Sequence, residues 1–289
     1  MQNERRILVT GASGFIGKHL VKRLREEKYE VVESKVRIEN EDEVFLLPMS
    51  DLVIHLAASV GVPASWDNPQ ETMSVNIAGT LNVLKYCVKN RADILYAGSY
   101  FYGNPKTLPT KEDDPISLES PYSISKFAGE ELCFAYASKY NLNAISFRVF
   151  NPYGPGQSDK MIVSQMISEL VNQGRITILD GRPRRDFLYI DDLIDAYAKG
   201  IHNLEGSREI YNVGYGENWS IAEIAQILAT IHGGAEIIDK KVVRSNEIME
   251  TCADISKIKN NLGWQPTVRI EEGLAKTYEW YAKKNKERS

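Results

Sequence analysis

The sequence predicts an α/β fold: a doubly wound parallel sheet with helices on both faces, followed by a smaller α/β lobe. Short apolar runs such as residues 7–9 are typical of strands that are buried on both faces. Stretches with apolar residues at helical spacing alternate with these runs through the first half of the chain. The length of 289 residues suggests about two domains. We expect a first domain over residues 1–150, to which 187–205 returns, and a second lobe formed by 151–186 and 206–289.

Composition and charge exclude several classes of protein. Hydrophobic residues make up 43% of the chain and charged residues 26%, as in ordinary globular proteins. The formal charge of −4 gives no general attraction for nucleic acid or anionic membranes, so neither is an expected partner. No apolar stretch approaches the roughly 20 residues of a transmembrane helix, and the N-terminus leaves no room for a signal peptide. The cysteines and histidines are scattered, which favours a cytoplasmic protein with reduced thiols and no metal site.

The first strand leads into a glycine turn and a helix, an order that aims backbone N–H groups at a phosphate. Gly11 allows a tight turn, Gly14 lets the backbone approach a pyrophosphate, and Gly17 lets the helix pack closely on the strand. The spacing is Gly-x-x-Gly-x-x-Gly, not the commoner Gly-x-Gly-x-x-Gly. The turn predicts a Rossmann-type dinucleotide-binding domain. A glycine-rich turn without a ligand is the alternative.

Residues 29–37 are predicted to form the second strand, whose end meets the adenosine ribose in such folds. An acid there binds the 2′-hydroxyl of NAD, whereas a cation suits the 2′-phosphate of NADP. Counted from the start of the strand, its end falls on Lys35, with Arg37 two residues further on. These cations favour NADP. Glu33 favours NAD if the strand ends early, and solvated charges that bind no ligand are the third alternative.

The third strand is predicted over residues 51–58. It ends in Leu56, Ala57 and Ala58, which would let the cofactor lie against the backbone. His55 stands inside the apolar run and is predicted to be a packed strand residue rather than a ligand.

Two further elements bring polar side chains to the carboxyl edge of the sheet, where ligands bind in such folds. After a helix over 69–90, a strand over 93–99 ends at Ser99. The next helix begins with Tyr122 and Lys126, which are four residues apart and therefore lie on one helix face. A lysine beside a phenol is expected to lower the pKa of the tyrosine, so that the tyrosine exchanges protons near neutral pH. A chance pair on the surface is the alternative.

The second half of the chain is predicted to build the smaller lobe. A helix with an apolar stripe covers 161–173, and a capping box starts another helix at Ser220. The remaining predicted elements are a strand over 185–190 and helices over 191–202, 254–262 and 270–284.

Taken together, these motifs resemble the extended short-chain dehydrogenase/reductase superfamily, in particular its nucleotide-sugar epimerases, dehydratases and reductases. The motifs of the first half are Thr10-Gly11-x-x-Gly14-Phe15-x-Gly17, His55-Leu-Ala-Ala58, Ser99 with Tyr102-Gly103, and Tyr122-x-x-x-Lys126. The similarity continues through Phe147-Arg-Val-Phe-Asn-Pro-Tyr-Gly-Pro-Gly156, Arg184-Arg-Asp-Phe-Leu-Tyr-Ile-Asp-Asp192 and Asn261-Leu-Gly-Trp-Gln-Pro266.

The resemblance implies a role for each matched residue. The implied catalytic group is Ser99, Tyr122 and Lys126. The implied cofactor-binding residues are Gly11, Ser13, Gly14, Phe15, Ile16, Gly17, Lys35, Arg37, Leu56, Ala57 and Ala58, together with Tyr122 and Lys126. The implied sugar-nucleotide ligands are Ser99, Asn151, Arg185 and Arg244. An Asn donor and two Arg forks suit a pyrophosphate.

One residue departs from the family's pattern. In much of the family, the catalytic Ser or Thr lies five residues before the glycine of the Tyr-Gly pair, and that place is Gly98 here. Either the end of the strand shifts by one residue, which puts Ser99 in the role, or the role of the hydroxyl is partly relocated.

The resemblance also implies the reaction, which is hydride transfer between C4 of the sugar and the nicotinamide. Tyr122 would handle the hydroxyl proton, while Ser99 would steady the oxygen. The 4,6-dehydratases of the family carry an Asp-Glu pair where this chain has Tyr100 and Phe101. The Glu of UDP-glucuronate decarboxylases is missing from the same segment, as is the Cys of GDP-fucose-synthase-like enzymes, whose His is replaced by Gly156. Two reactions at C4 remain: reduction of a 4-keto sugar nucleotide and 4-epimerisation.

Three features favour the reductase, acting on a 4-keto (6-deoxy) sugar nucleotide with NADP. They are the cations Lys35 and Arg37, the short connection after the second strand, and Arg244-x-Asn-Glu-Ile-Met249, which is similar to CDP-abequose-synthase-type 4-ketoreductases. The alternative is a UDP-glucose 4-epimerase-like enzyme with tightly bound NAD.

A non-catalytic NADP-binding regulator is the third hypothesis. The pair Tyr122 and Lys126 argues against it, because such a protein has no need of the pair. A homodimer is also expected. Its two-fold contact would form through the helices over 69–90 and 121–140, which carry more apolar positions than one sheet face requires.

Overall fold

Strands and helices alternate in a computed structural model that describes residues 5–244 and 247–287. Its strands are β1 (Arg6–Thr10), β2 (Glu30–Glu33), β3 (Leu52–His55), β4 (Asp93–Ser99), β5 (Ala144–Val149), β6 (Asn151–Tyr153), β7 (Arg175–Ile178), β8 (Arg184–Arg185), β9 (Phe187–Tyr189), β10 (Arg208–Val213), β11 (Trp219–Ser220) and β12 (Glu236–Asp239). Its helices are α1 (Phe15–Glu26), α2 (Glu41–Phe45), α3 (Val62–Asp67), α4 (Pro69–Met73), a π-helix (Ser74–Gly79), α5 (Thr80–Asn90), α6 (Pro121–Tyr140), α7 (Ile162–Gln173), α8 (Ile190–His202), α9 (Ile221–His232), α10 (Ser256–Leu262) and α11 (Ile270–Lys286).

Six parallel strands form the central sheet, in the order β10-β5-β4-β3-β1-β2. The chain passes from β1 to β2 on one side and then returns to β3 on the other side of β1. The crevice beyond the carboxyl ends of the strands at such a reversal is where open α/β sheets bind ligands. The Rossmann-type α/β fold predicted from the sequence is confirmed.

Helices cover both faces of this sheet because successive strand residues point to opposite sides. Ile7 and Val9 of β1 are fully buried in the core formed with α1 and α8. Leu8, between them, is fully buried on the other face, in the core formed with α5 and α6. Burial of each such side chain contributes about 1.5–3 kcal/mol. Packing in the two cores holds the strands in register and so fixes the position of the carboxyl edge of the sheet.

Three two-stranded sheets (β6 with β9, β7 with β12, and β8 with β11) belong to the second half of the chain. Asp186 lies between β8 and β9 and accepts hydrogen bonds from the backbone N–H groups of Tyr215, Gly216 and Ala253. Burial raises the pKa of this carboxyl group to about 6, although the three N–H donors act in the opposite direction. Asp186 thereby ties three segments together directly beside β8.

Several sequence-derived boundaries differ from the structure. The assignment of 206–289 to the second lobe does not hold for β10, which pairs with β5 at the edge of the central sheet. The predicted helix over 69–90 is divided into α4, the π-helix and α5. Among the described residues, no helix is long and apolar enough to cross a membrane. In the same ranges, no group of three or more His, Cys, Asp or Glu residues could hold a metal ion.

Candidate active site

A cleft of about 1370 Å³ lies at the carboxyl ends of β1, β3, β4 and β5. Every site residue predicted from the sequence lines it, with the exception of Lys35. These lining residues are Gly11, Ser13, Gly14, Phe15, Ile16, Gly17, Arg37, Leu56, Ala57, Ala58, Ser99, Tyr122, Lys126, Asn151, Arg185 and Arg244. The structure therefore brings the glycine turn and the Tyr-Lys pair to one cavity.

The glycine turn is too crowded for side chains. Gly11 has φ +68°, and a Cβ there would lie 2.8 Å from the backbone nitrogen of Ala57. A Cβ at Gly17 would lie 2.3 Å from the carbonyl oxygen of Gly11. α1 starts at Gly14 without a side-chain cap, so its first N–H groups remain available to a ligand in the cleft. This cradle fits a dinucleotide pyrophosphate.

A buried chain of hydrogen bonds runs beneath the turn through His55. The Thr80 hydroxyl donates to the carbonyl oxygen of Asn76 (2.6 Å), so it must accept from Nε2 of His55 (3.0 Å). Nδ1 of His55 is then the acceptor for the Thr10 hydroxyl (2.7 Å), which accepts the N–H of Ala57 (3.2 Å). Burial lowers the pKa of His55 to about 3, assisted by the charge of Lys126. His55 is thus a neutral, packed residue.

The end of β2 differs from the sequence prediction. The placement of Lys35 at the strand end is wrong, because pairing with β1 stops at Val9 and Glu33 and the chain then turns away. Glu33 contacts α1, where its carboxylate pairs with Arg25 (2.5 Å). Arg37 does line the cleft, but it is paired with Glu39 (2.7 Å), which lines the cleft as well.

Ser99, Tyr122 and Lys126 all line the cleft, and the Ser99 side chain is hydrogen-bonded to Tyr122. The expected lowering of the pKa of Tyr122 is wrong for this structure: burial raises it, and the Ser99 side chain only partly offsets that effect. Lys126 is 3% exposed, and burial lowers its pKa to about 8. Its ammonium lies 4.2 Å from the ring centroid of Tyr96, whose hydroxyl donates to the backbone carbonyl of Lys126 (3.0 Å).

Gly98 faces the protein interior, on the side of β4 opposite to Ser99. A Cβ at Gly98 would lie 2.8 Å from the hydroxyl oxygen of Ser146 and 3.1 Å from the carboxylate of Glu130. Glu130 is fully buried and paired with Arg148 (2.7 Å). A hydroxyl side chain at position 98 therefore has no room, and the hydroxyl that reaches the cleft belongs to Ser99.

The π-helix joins the loop after β3 to the start of α6 through Asn76. The Asn76 side chain accepts from the N–H of Ser59 (2.7 Å) and donates to the Ser59 carbonyl oxygen (3.0 Å). It also donates to the Ser125 hydroxyl (2.9 Å), which in turn donates to the backbone carbonyl of Tyr122 (2.8 Å). This chain fixes the loop after β3 against the first turn of α6.

The far end of the cleft carries the residues expected to hold a sugar nucleotide. The Asn151 side chain donates to the Asp186 carbonyl oxygen (3.1 Å), and it accepts from the Tyr100 hydroxyl (3.3 Å). Arg185 is paired with Glu247, while Arg244 is exposed at the rim.

Several lining residues were missed by sequence reasoning. Glu39 and Glu247 carry charge into the cleft, and Trp66, which is 63% exposed, stands at its edge. Glu247 lies three residues after Arg244, so proximity to a predicted ligand was the one available signal. Nothing in the spacing points to Glu39 or Trp66.

The fold and the cleft define a dinucleotide-binding enzyme of the short-chain dehydrogenase/reductase type. A family model described as the NAD dependent epimerase/dehydratase family matches residues 7–214. The chain belongs to this family.

Similar proteins span the full chain. A UDP-glucose 4-epimerase from Mycolicibacterium smegmatis is 30% identical over 97% of this chain and 99% of its own length. The UDP-glucose 4-epimerase of Thermotoga maritima with UDP-glucose has a TM-score of 0.92 at 29% identity, covering 97% of this chain and 99% of that chain.

Two further solved structures contain a cofactor. The UDP-glucose 4-epimerase of Thermus thermophilus in complex with NAD has a TM-score of 0.87 at 27% identity, over 96% of this chain and 98% of that one. RMD from Pseudomonas aeruginosa complexed with NADPH has a TM-score of 0.89 at 28% identity, over 97% and 99%. The fold therefore serves both cofactors.

Proposed function

We propose that this protein is a nucleotide-sugar 4-epimerase with a tightly held NAD. The observation that carries the proposal is the ion pair between Arg37 and Glu39 at the adenosine end of the cleft. Binding of the 2′-phosphate of NADP requires a cation whose charge is not already neutralised. Of the two cations predicted to bind it, Arg37 lines the cleft and Lys35 does not, and Glu39 neutralises the charge of Arg37. The 4-epimerases among the similar proteins support the same activity.

The residues of the cleft suit proton transfer at the 4-hydroxyl of a sugar. When bound, NAD supplies reversible hydride transfer at sugar C4. Tyr122 accepts and returns the hydroxyl proton, while the Ser99 hydroxyl hydrogen-bonds the same oxygen. Burial opposes formation of the Tyr122 phenolate, and the hydrogen bond with the Ser99 side chain favours it. With a pKa of about 8, Lys126 is mostly charged at neutral pH.

The neighbouring side chains keep the chemistry at C4. Tyr100 and Phe101 follow Ser99 and provide no carboxylic acid to protonate a leaving hydroxyl at C6. Asn151, Arg185 and Arg244 supply donors for a nucleoside diphosphate at the far end of the cleft. We propose a UDP-sugar as substrate, because similar proteins are named for UDP-glucose.

The test has two readouts on the purified protein. Nucleotide released by denaturation should be NAD at close to one equivalent per chain. UDP-glucose and UDP-galactose should interconvert without added cofactor. Release of NADP, or absence of interconversion across several UDP- and other nucleoside diphosphate hexoses, contradicts the proposal.

A 4-ketoreductase is the second candidate. It is favoured by the exposed cations Lys35 and Arg37 near the end of β2, and by the similarity to RMD complexed with NADPH. A reductase consumes NADPH stoichiometrically. Oxidation of added NADPH by a 4-keto-6-deoxy sugar nucleotide, monitored by absorbance, distinguishes it from an epimerase.

A further inference from the structure

Arg185 meets a carboxylate at the point where a substrate diphosphate is expected. Its Nη2 donates to Glu247, and its Nη1 donates to the backbone carbonyl of Arg184 (2.9 Å). The side chains of Arg185 and Glu247 are only 14% and 20% exposed, and both line the cleft. The guanidinium is therefore held at two points and already carries a negative partner.

Arg185 is held more firmly in place than the side chain of Glu247. β8 fixes Arg185, because Trp219 pairs with it and the N–H of Arg184 donates to the carbonyl oxygen of Met249 (2.8 Å). The hydrogen bond between Arg184 and Met249 also brings Glu247, two residues before Met249, close to Arg185. On the Glu247 side, only the side chain takes part in the contact with Arg185. A rotation about side-chain bonds is enough to move the Glu247 carboxylate away from Arg185. The Arg185 guanidinium, in contrast, cannot move away without breaking its hydrogen bond to the backbone carbonyl of Arg184.

We propose that Glu247 is a positioning residue that occupies Arg185 until the diphosphate of a sugar nucleotide displaces it. This inference rests on the proposed function, because it takes Arg185 as a diphosphate ligand. Binding is then an exchange of anions on one guanidinium. No covalent bond changes, and the displaced carboxylate moves toward the cleft opening and water.

The exchange has a consequence for selectivity. An anion must compete with a carboxylate that is already in place, so a ligand with several negative oxygens succeeds where a weakly charged one fails. Burial raises the pKa of the Tyr100 phenol; the Arg185 charge acts against this rise and the Glu247 charge adds to it, so the phenol lies within reach of both charges. Because of Glu247, the site should bind only ligands that carry enough negative charge to displace its carboxylate from Arg185.

The experiment is titration calorimetry of the protein as purified, with inorganic pyrophosphate, inorganic phosphate and UDP. Glu247→Gln removes the competing charge but keeps an oxygen that accepts from Arg185. We expect it to tighten pyrophosphate binding by about threefold to fivefold, the upper part of the range for ion pairs that water can reach. The preference for pyrophosphate over phosphate should shrink.

Glu250→Gln is the matched control, because it removes the same charge from the same segment. The Glu250 carboxylate accepts from Asn218 (2.9 Å) rather than from Arg185, and the amide oxygen of the substituted side chain can accept that bond as well. We expect pyrophosphate affinity within about twofold of the natural protein. In the Arg185→Ala background, Glu247→Gln should no longer tighten binding, since no guanidinium remains to be competed for.

The outcomes separate this inference from the proposed function. If the natural protein binds neither UDP nor pyrophosphate, the nucleotide-sugar function fails and the inference fails with it. If it binds both, and Glu247→Gln leaves pyrophosphate affinity unchanged or weaker, the exchange alone is overturned. Equal tightening in the Arg185→Ala background also overturns it, because the effect would then be a general one of charge. A melting temperature for each variant confirms that it is folded.

Discussion

The guanidinium of Arg37 lies 2.7 Å from the carboxylate of Glu39, in the segment that follows β2. Both side chains line the cleft, so their charges act there together. Arg37 is exposed, which makes this end of the site accessible to salt.

The pair predicts how cofactor preference responds to mutation. Glu39→Gln leaves the Arg37 charge uncompensated and should shift affinity several-fold toward NADPH relative to NADH, because a 2′-phosphate gains a charge-assisted partner. The shift should fade with added salt. Lys35→Gln is the control: Lys35 lies outside the cleft and should change the ratio little. Dissociation constants for both cofactors check this. If Lys35→Gln changed the ratio of NADPH to NADH affinity more than Glu39→Gln, the sequence-based assignment of Lys35 to the 2′-phosphate would be supported instead.

Tyr122→Phe should reduce turnover by about 10²–10⁴-fold, the usual loss for a general acid–base group. The aromatic ring is kept and only the hydroxyl is lost, so the content of bound cofactor should stay close to that of the natural protein. Steady-state kinetics and nucleotide analysis are the measurements. Near-normal turnover in the variant removes Tyr122 from the mechanism.

Lys126→Met should raise the stability of the fold while abolishing turnover. The pKa of Lys126 falls from 10.5 to about 8 on folding, which corresponds to a destabilisation of roughly 3 kcal/mol at pH 7, where both states carry the proton. Between about pH 8 and 10.5 the folded state binds fewer protons than the unfolded state, so this contribution to stability rises with pH. The advantage of the variant should shrink over that range. Denaturant titrations at about pH 7 and pH 9.5 check this, and a gain that does not depend on pH contradicts it.

Arg185→Ala and Arg244→Ala should each weaken nucleoside diphosphate binding by about 1.5–3 kcal/mol, the range for hydrogen bonds to charged groups. Arg185→Ala also leaves the partly buried Glu247 without its partner, which should lower the stability of the fold rather than add to the loss of binding. Arg182→Ala is the matched control: Arg182 is exposed, pairs with Asp180 (2.8 Å) and does not line the cleft. Calorimetry with UDP measures all three. Equal losses for Arg182 and Arg244 would contradict a specific role.

We expect a homodimer through α5 and α6. Met73, Ile77 and Leu81 are partly exposed at helical spacing along the segment that ends in α5, which suits an isologous contact. Leu81→Arg should give a monomer in sedimentation at micromolar concentration. Leu46→Arg replaces an apolar residue that is 83% exposed elsewhere, and it should leave the assembly unchanged. A monomeric natural protein contradicts the prediction.

The sequence predicted what depends on local spacing. The glycine turn, the apolar strands and the Tyr122-x-x-x-Lys126 pair can each be recognised within a short stretch of sequence. The family resemblance that they carry is confirmed by a family model that matches residues 7–214. The predicted roles all stay predictions, although the residues concerned line the cleft: Ser99, Tyr122, Lys126, Asn151, Arg185 and Arg244.

The remainder depends on contacts that spacing does not encode. β2 ends at Glu33 because its pairing with β1 ends there, not because of any residue within the strand. Glu247 approaches Arg185 across 62 positions of sequence. The pKa of Tyr122 follows from burial by several elements at once, so the presence of Lys126 four residues away gave the wrong direction.

The hydrogen-bond chain through His55 places no titrating charge beneath the glycine turn near neutral pH. Because burial lowers its pKa to about 3, the imidazole carries no charge near neutral pH. The hydroxyls of Thr10 and Thr80 therefore keep their donor directions there. Changes of pH around neutrality act on the titratable groups that line the cleft above this chain, and not on the chain itself.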